Sequence, residues 1–216
     1  MKKLLALLLC LPLWSVAQDS PLGNWINYFG NKVINEQWNW HNEVQYRNYN
    51  AIGDLEQLLI RTGVGYNLTE GNNNVLLGYG YILSENYVGE EEKESVNEHR
   101  IFQQFITKHA IGVVNVQHRY RFEQRWVESD FKMRLRYFLS LNIPLNRKPI
   151  TDGSWYGSVY NEIFLNTGEN VFDRNRLYVA LGHQFSKKFR LEVGYMNQYL
   201  PGLDRDQINI NSFLTF

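Results

Sequence analysis

The chain has 216 residues and balances 22 Lys+Arg against 22 Asp+Glu, so no net field draws it to nucleic acid or to acidic surfaces. Mean hydropathy is −0.41, and past the N-terminus there is no run of roughly 18 apolar residues, which excludes membrane-spanning helices. Aromatic residues make up 15% of the chain, with 14 Tyr and 6 Trp; that suits either a large core or aromatic girdles at two membrane surfaces.

Residues 1–17 have the form of an export signal. Lys2 and Lys3 supply a positive start, residues 4–14 an apolar stretch, and Ser15-Val16-Ala17 a small-x-small cleavage site. The mature chain is expected to begin at Gln18, with residues 18–216 forming one domain. Cys10 is the sole cysteine. Leu9 precedes it where a lipidation motif wants a small residue, so neither a lipid anchor nor a disulfide is expected.

The rest of the chain reads as successive strands. Residues 25–33 alternate weakly. Trp38, Trp40, Val44 and Tyr46 then share a face opposite Asn39, His41, Glu43, Gln45 and Arg47. Leu58, Ile60, Val64 and Tyr66 oppose Gln57, Arg61, Gly63 and Gly65, and Val75, Leu77, Tyr79, Tyr81 and Leu83 oppose Leu76, Gly78, Gly80 and Ser84. Residues 98–108 alternate ambiguously. The most regular stretch puts Val114, Val116, His118, Tyr120, Phe122, Gln124 and Trp126 on one face and Asn115, Gln117, Arg119, Arg121, Glu123 and Arg125 on the other. Phe131, Met133, Leu135, Tyr137, Leu139 and Leu141 next oppose Lys132, Arg134, Arg136 and Ser140, and further runs cover 155–165, 176–185, 191–199 and 208–216. Turn chemistry at 69–74, 144–153, 186–188 and Pro201-Gly202 separates them. Each run is long enough for a tilted crossing of ~9–11 residues.

In a soluble sandwich the charged faces would look at water. Repetition over so many strands behind an export signal predicts the reverse: an all-β, antiparallel up-and-down transmembrane barrel, apolar outside and polar inside. Even strand numbers with both ends in the periplasm are usual for such chains, so about ten strands are expected, with twelve as the alternative. Residues 18–33 are then an N-terminal segment that lines the barrel, plugs it or extends one wall.

An Arg facing lipid near mid-bilayer costs ~2–4 kcal/mol. Glu43, Arg47, Arg61, Glu98, Arg100, Arg119, Arg121, Glu123, Arg125, Arg134, Arg136 and Glu162 are therefore expected inside as a lumen charge network, paired because a lone buried charge is costly. A tight hairpin at 127–130 sets Glu123 opposite Arg134, Arg121 opposite Arg136 and Arg125 opposite Lys132, with Phe122 against Leu135 on the other face. The same logic sets Glu43 opposite Arg61. The excess arginines on that hairpin call for Glu43, Glu98 and Glu162 to reach across the lumen toward them.

Ile208, Ile210, Leu214 and Phe216 alternate to a terminal aromatic. This resembles the assembly signal read by the barrel-assembly machinery, an edge strand able to template by strand addition. With the C-terminus periplasmic, residues 85–97, 167–173 and 201–206 are expected as extracellular loops, and the acidic run at 90–94 as a solvated tip. Among the histidines, His118 falls on the apolar face; His41 and His99, near Glu43 and Glu98, are the better candidates for chemistry. None sits in a Ser or Cys motif. Gly63, Gly65, Gly78 and Gly80 mark bends or room for large neighbours rather than a phosphate cradle, since no helix follows them.

Several motifs are similar to an uncharacterised bacterial outer-membrane family, domain of unknown function 2490. They are Leu22-Gly23-Asn24-Trp25, Glu43-Val44-Gln45-Tyr46-Arg47, Glu98-His99-Arg100, the stretch from His118 to Arg125, Arg134-Leu135-Arg136-Tyr137, Asn161-Glu162-Ile163-Phe164, Asn175-Arg176 and Gly194-Tyr195-Met196. The resemblance covers nearly the whole mature chain and implies a barrel and an outer-membrane address, without an activity. The expected role is a structural barrel or narrow channel with an arginine-rich interior. The alternatives are an outer-membrane lipid hydrolase or acyltransferase, and a surface module binding through its loops. Expected partners are outer-membrane lipid and lipopolysaccharide, the barrel-assembly machinery and periplasmic chaperones. Cofactor, metal and nucleic acid are not expected.

Overall fold

In the computed structural model, which describes residues 22–216, the chain is a closed barrel of eleven strands. They are β1 (Gly23–Val33), β2 (Trp38–Asn48), β3 (Leu55–Thr69), β4 (Asn73–Tyr87), β5 (Lys93–Ile111), β6 (Val114–Val127), β7 (Asp130–Pro144), β8 (Ser154–Asn166), β9 (Phe172–Ser186), β10 (Phe189–Leu200) and β11 (Leu203–Thr215). Each strand pairs antiparallel with the next in sequence. The seam is different: β1 and β11 run parallel, from Gly23 opposite Gln207 to Asn31 opposite Thr215. The expected signal at 1–17 and residues 18–21 lie outside the described residues.

The count corrects the expectation of ten or twelve. The weak stretch at 25–33 is neither plug nor lining but a full wall strand, β1. An odd number closes a barrel only through one parallel pair, so the barrel's first and last strands start at the same end. Gly23 therefore lies at the end opposite Phe216. Closure extends past the ladder, with Val33 N–H donating to Phe216 O at 3.0 Å and Phe216 N–H to Asn31 O at 3.0 Å.

Sequence alternation becomes wall geometry directly, because successive side chains leave opposite faces of a strand. On β7, Leu135 is 49% exposed, while Arg134 and Arg136 beside it are 3% and 7% exposed. The same inversion recurs at Ile26 on β1, Val44 on β2, Ile60 on β3, Leu77 on β4, Ile101 on β5, Leu177 on β9 and Val193 on β10, all exposed. Most charged residues of the mid-strand wall are inside, where they share the interior with buried apolar side chains such as Leu59, Ile82 and Phe102, while the exposed outer face is largely apolar.

The β6–β7 hairpin has the register that its turn dictates: Glu123 opposite Arg134, Arg121 opposite Arg136, Arg125 opposite Lys132 and Phe122 opposite Leu135. Glu43 lies opposite Arg61 on β3. The loops are shorter than expected. β4 and β5 stay paired out to Tyr87 opposite Lys93, so the span 85–97 is mostly ladder with a connection at 88–92. The β8–β9 and β10–β11 connections shrink to 167–171 and 201–202. A longer connection, 145–153 between β7 and β8, lies at the Phe216 end.

Candidate functional site

The barrel interior is filled by side chains from every wall. Phe102 on β5, Glu123 on β6, Tyr156 on β8, Met196 on β10 and Gln207 on β11 are all fully buried, as are Leu59 on β3 and Ile82 on β4. These residues come from strands around the barrel and from several heights along it, so side chains pack the interior along much of its length.

Shared carboxylates organise this interior. Glu123 accepts from Arg134 Nη2 at 2.7 Å and Arg136 Nη1 at 2.7 Å, with Arg121 Nη1 at 3.6 Å. Glu162 accepts from Arg136 Nη2 at 2.6 Å and Arg119 Nη2 at 2.7 Å, and Arg176 Nη1 stands 3.8 Å away. Arg136 thus bridges Glu123 and Glu162. Glu98 takes Arg100 from its own strand and Arg125 from β6, the latter at 2.5 and 3.0 Å. Glu43 holds Arg61 at 2.7 Å, Gln45 and His41. Such charge-assisted, forked contacts are what guanidinium geometry favours.

All twelve residues expected in the lumen network are on the inward face. Glu98 and Glu162 do reach the arginines of β6 and β7. Glu43 does not: it is taken by Arg61, directly opposite it, before it can reach across. Arg47 has no carboxylate within ion-pair distance among the described residues. It bonds Gln57 Oε1 at 2.6 Å and Gln45 Oε1 at 2.6 Å, and its guanidinium lies 3.7 Å over the Trp25 ring.

That stacking is general, and strand-by-strand reading missed it. Phe164 lies beneath Arg136 at 4.3 Å and Arg176 at 4.6 Å. Phe102 faces Arg121 at 4.5 Å and Phe138 faces Arg119 at 4.4 Å. An aromatic ring satisfies the face of a guanidinium while carboxylates satisfy its edge. A signal was present: Phe102, Phe138 and Phe164 each interrupt the polar register of their strand. Also missed were Arg176 and Asp173, which accepts from Arg134 Nη1 at 2.7 Å, and the rim pair of Glu56 and Arg205.

The histidines divide by face. His99 Nδ1 meets Tyr79 OH at 2.6 Å and His118 Nδ1 meets Tyr137 OH at 2.8 Å, both on the outer surface. His99 and Glu98 therefore project to opposite sides of the wall, which removes that pair as a catalytic dyad. His41, 3.2 Å from Glu43 Oε2, points inward. No serine or cysteine hydroxyl or thiol hydrogen-bonds a histidine among the described residues.

Comparison with known proteins adds a family and no activity. A family model described as "Protein of unknown function (DUF2490)" matches residues 22–209. An uncharacterised protein of Methylorubrum extorquens is 31% identical over 188 residues, covering 81% of this chain and 79% of its own length. No solved structure matches.

Proposed function

The chain belongs to the DUF2490 family, and we propose that it is a barrel of a bacterial outer membrane whose interior is held shut by ion pairs. One observation carries this reading, the inverted polarity of the wall. Burying an exposed Leu, Ile or Val is worth about 1.5–3 kcal/mol each, and a barrel wrapped in such residues needs an apolar solvent. The rings beside the turns fit the same address. Trp126, Phe131 and Tyr199 are exposed near one end and Trp38, Trp40 and Trp155 near the other, as interfacial girdles require. Lipid and lipopolysaccharide would then be its surroundings. The alternating Ile208, Ile210, Leu214 and Phe216 would serve as the signal to the assembly machinery, with periplasmic chaperones escorting the unfolded chain.

The closed mid-lumen favours a structural barrel over a standing channel. Purified protein folded in detergent should migrate anomalously on gels until boiled, and the cellular protein should fractionate with outer membranes. In planar bilayers it should insert without steady conductance. Recovery in the soluble periplasmic fraction would refute the membrane address. Stable ion conductance from the wild-type barrel would refute the closed interior and leave the address intact.

A further inference from the structure

At the Phe216 end the interior opens into a pit of about 320 Å³, with His41, Lys108, Gln184, Lys188 and Arg190 in its lining. By strand register His41, Lys108, Gln184 and Arg190 project inward, and Lys187 and Lys188 form the β9–β10 turn at its rim. One side of the pit is a stacked pair of rings, Phe29 and Phe213, with centroids 5.0 Å apart. The Arg190 guanidinium lies 4.1 Å over Phe213.

The pit is blind. One inward residue further along β1, β11 and β10 come Asn27, Asn211 and Glu192. Asn27 Nδ2 donates to Asn211 Oδ1 at 2.7 Å, Asn211 Nδ2 to Tyr178 OH at 2.8 Å, and Tyr156 OH to Glu192 Oε1 at 2.9 Å. All five residues are buried, so this layer is a floor. A ligand that enters is held and does not pass.

The pit's charge is unmatched. Lys108, Lys187, Lys188 and Arg190 line it and no acid does. Among the described residues none of the four forms an ion pair. The acids nearest in sequence register are engaged, Glu43 by Arg61 and His41 and Glu192 by Tyr156. Elsewhere the interior places a glutamate within ion-pair distance of its arginines, whereas here four cations share a recess and the carboxylate in the floor below them, Glu192, lies outside that distance from Arg190 and offsets their repulsion only in part.

We propose that this pit binds a phosphate-class oxyanion, a phosphomonoester or pyrophosphate. The planar fork of Arg190 suits two phosphate oxygens, the lysines act as point charges, and the Phe29–Phe213 pair takes an attached apolar or ring group. A phospholipid headgroup from the adjoining leaflet and a soluble phosphate ester share that chemistry. The proposal stands on the geometry of the pit and does not require the membrane address, since it is tested on the full barrel folded in detergent.

The test is calorimetric titration of the folded protein with pyrophosphate at low salt. Saturable binding is expected. Arg190→Gln and Lys108→Gln should each weaken it about tenfold or more, the loss of one charged hydrogen bond, and added NaCl should weaken it further. Lys132→Gln, at the opposite mouth beside Asp130, should bind as wild type does. If Arg190→Gln fails to give heat-modifiable barrel, the double variant Lys187→Gln/Lys188→Gln in the exposed turn makes the same comparison. Short-chain phosphatidic acid and phosphatidylcholine then identify the source. Displacement of pyrophosphate by phosphatidic acid alone assigns a lipid headgroup, and displacement by neither assigns a soluble ester. Absence of saturable pyrophosphate binding, or equal affinity in the pit variants and Lys132→Gln, overturns the proposal.

Discussion

Glu123 is fully buried and lies within ion-pair distance of Arg121, Arg134 and Arg136. Removing its carboxylate leaves Arg134 to Asp173 and Arg136 to Glu162, and strands Arg121. Breaking a buried pair from one side costs about 3–5 kcal/mol, mostly because a buried charge loses its counter-ion. Glu123→Ala should therefore lower unfolding free energy by about that amount in urea titrations of the reconstituted barrel. Glu90→Ala, in the exposed β4–β5 connection, should stay within about 0.5 kcal/mol of wild type. Equal losses would mean that the network is not what closes the interior. Gly78 makes a second residue-scale case. A methyl group there would stand 2.3 Å from Phe102 Cζ, and that ring is fully buried beneath Arg121. Gly78→Ala should cost about 1–3 kcal/mol by overpacking, and Phe102→Leu in the same chain should recover part of it. An additive double variant would show that the ring is free to move aside.

At the scale of elements, legibility tracked how cleanly each strand separates its faces. β6 and β7 keep charge on one side and apolar residues on the other, so one tight turn fixed their entire register; a one-residue slip would turn every arginine to the outer face. β1 has no such contrast. Trp25 and Phe29 point inward with Asn27 and Asn31, while Tyr28 and Gly30 share the outer face with Ile26, and the strand read as a loose segment. Its partner was equally hidden. No turn joins β1 to β11, so hairpin logic has nothing to act on, and parallel pairing was outside what the sequence pattern could indicate. β5 was ambiguous because Phe102 and Ile106 take inward positions and Gln103 an outward one, where it exchanges hydrogen bonds with Gln124 across the strands. The charged side of the candidate site was legible because charge has only one tolerable side of such a wall, whereas its aromatic underside required knowing which strands face each other across the lumen. The seam also sharpens the role of Phe216, whose backbone exchanges hydrogen bonds with Asn31 and Val33. Deleting Phe216 should reduce assembly in cells, scored as heat-modifiable barrel in outer-membrane fractions. Phe216→Ala keeps the backbone bonds and loses the ring. If the terminal aromatic is the recognised feature, both variants assemble poorly; normal assembly of both would remove the signal reading.

At the scale of the molecule, the odd strand count has a directional consequence. β11 ends at the pit with Phe216, and the turns 34–37, 70–72, 112–113, 145–153 and 187–188 share that end. If it faces the periplasm, as the proposed assembly signal would require, then β1 begins on the outside, together with the connections 49–54, 88–92, 128–129, 167–171 and 201–202. The basic pit would then open toward the periplasm and the Glu98–Arg125 end toward the medium. A protease site inserted after Glu92 should be cut in intact cells, and one inserted after Asp152 should be protected until the outer membrane is permeabilised. An epitope placed between residues 21 and 22 should behave like the Glu92 site, accessible without permeabilisation, because the parallel seam puts Gly23 beside Gln207 at the start of β11. Cutting at Asp152 with protection at Glu92 would invert the barrel and turn the pit outward. An epitope hidden while Glu92 is cut would contradict the seam itself, since it would put both chain termini on one side, which needs an even number of strands and an antiparallel closure.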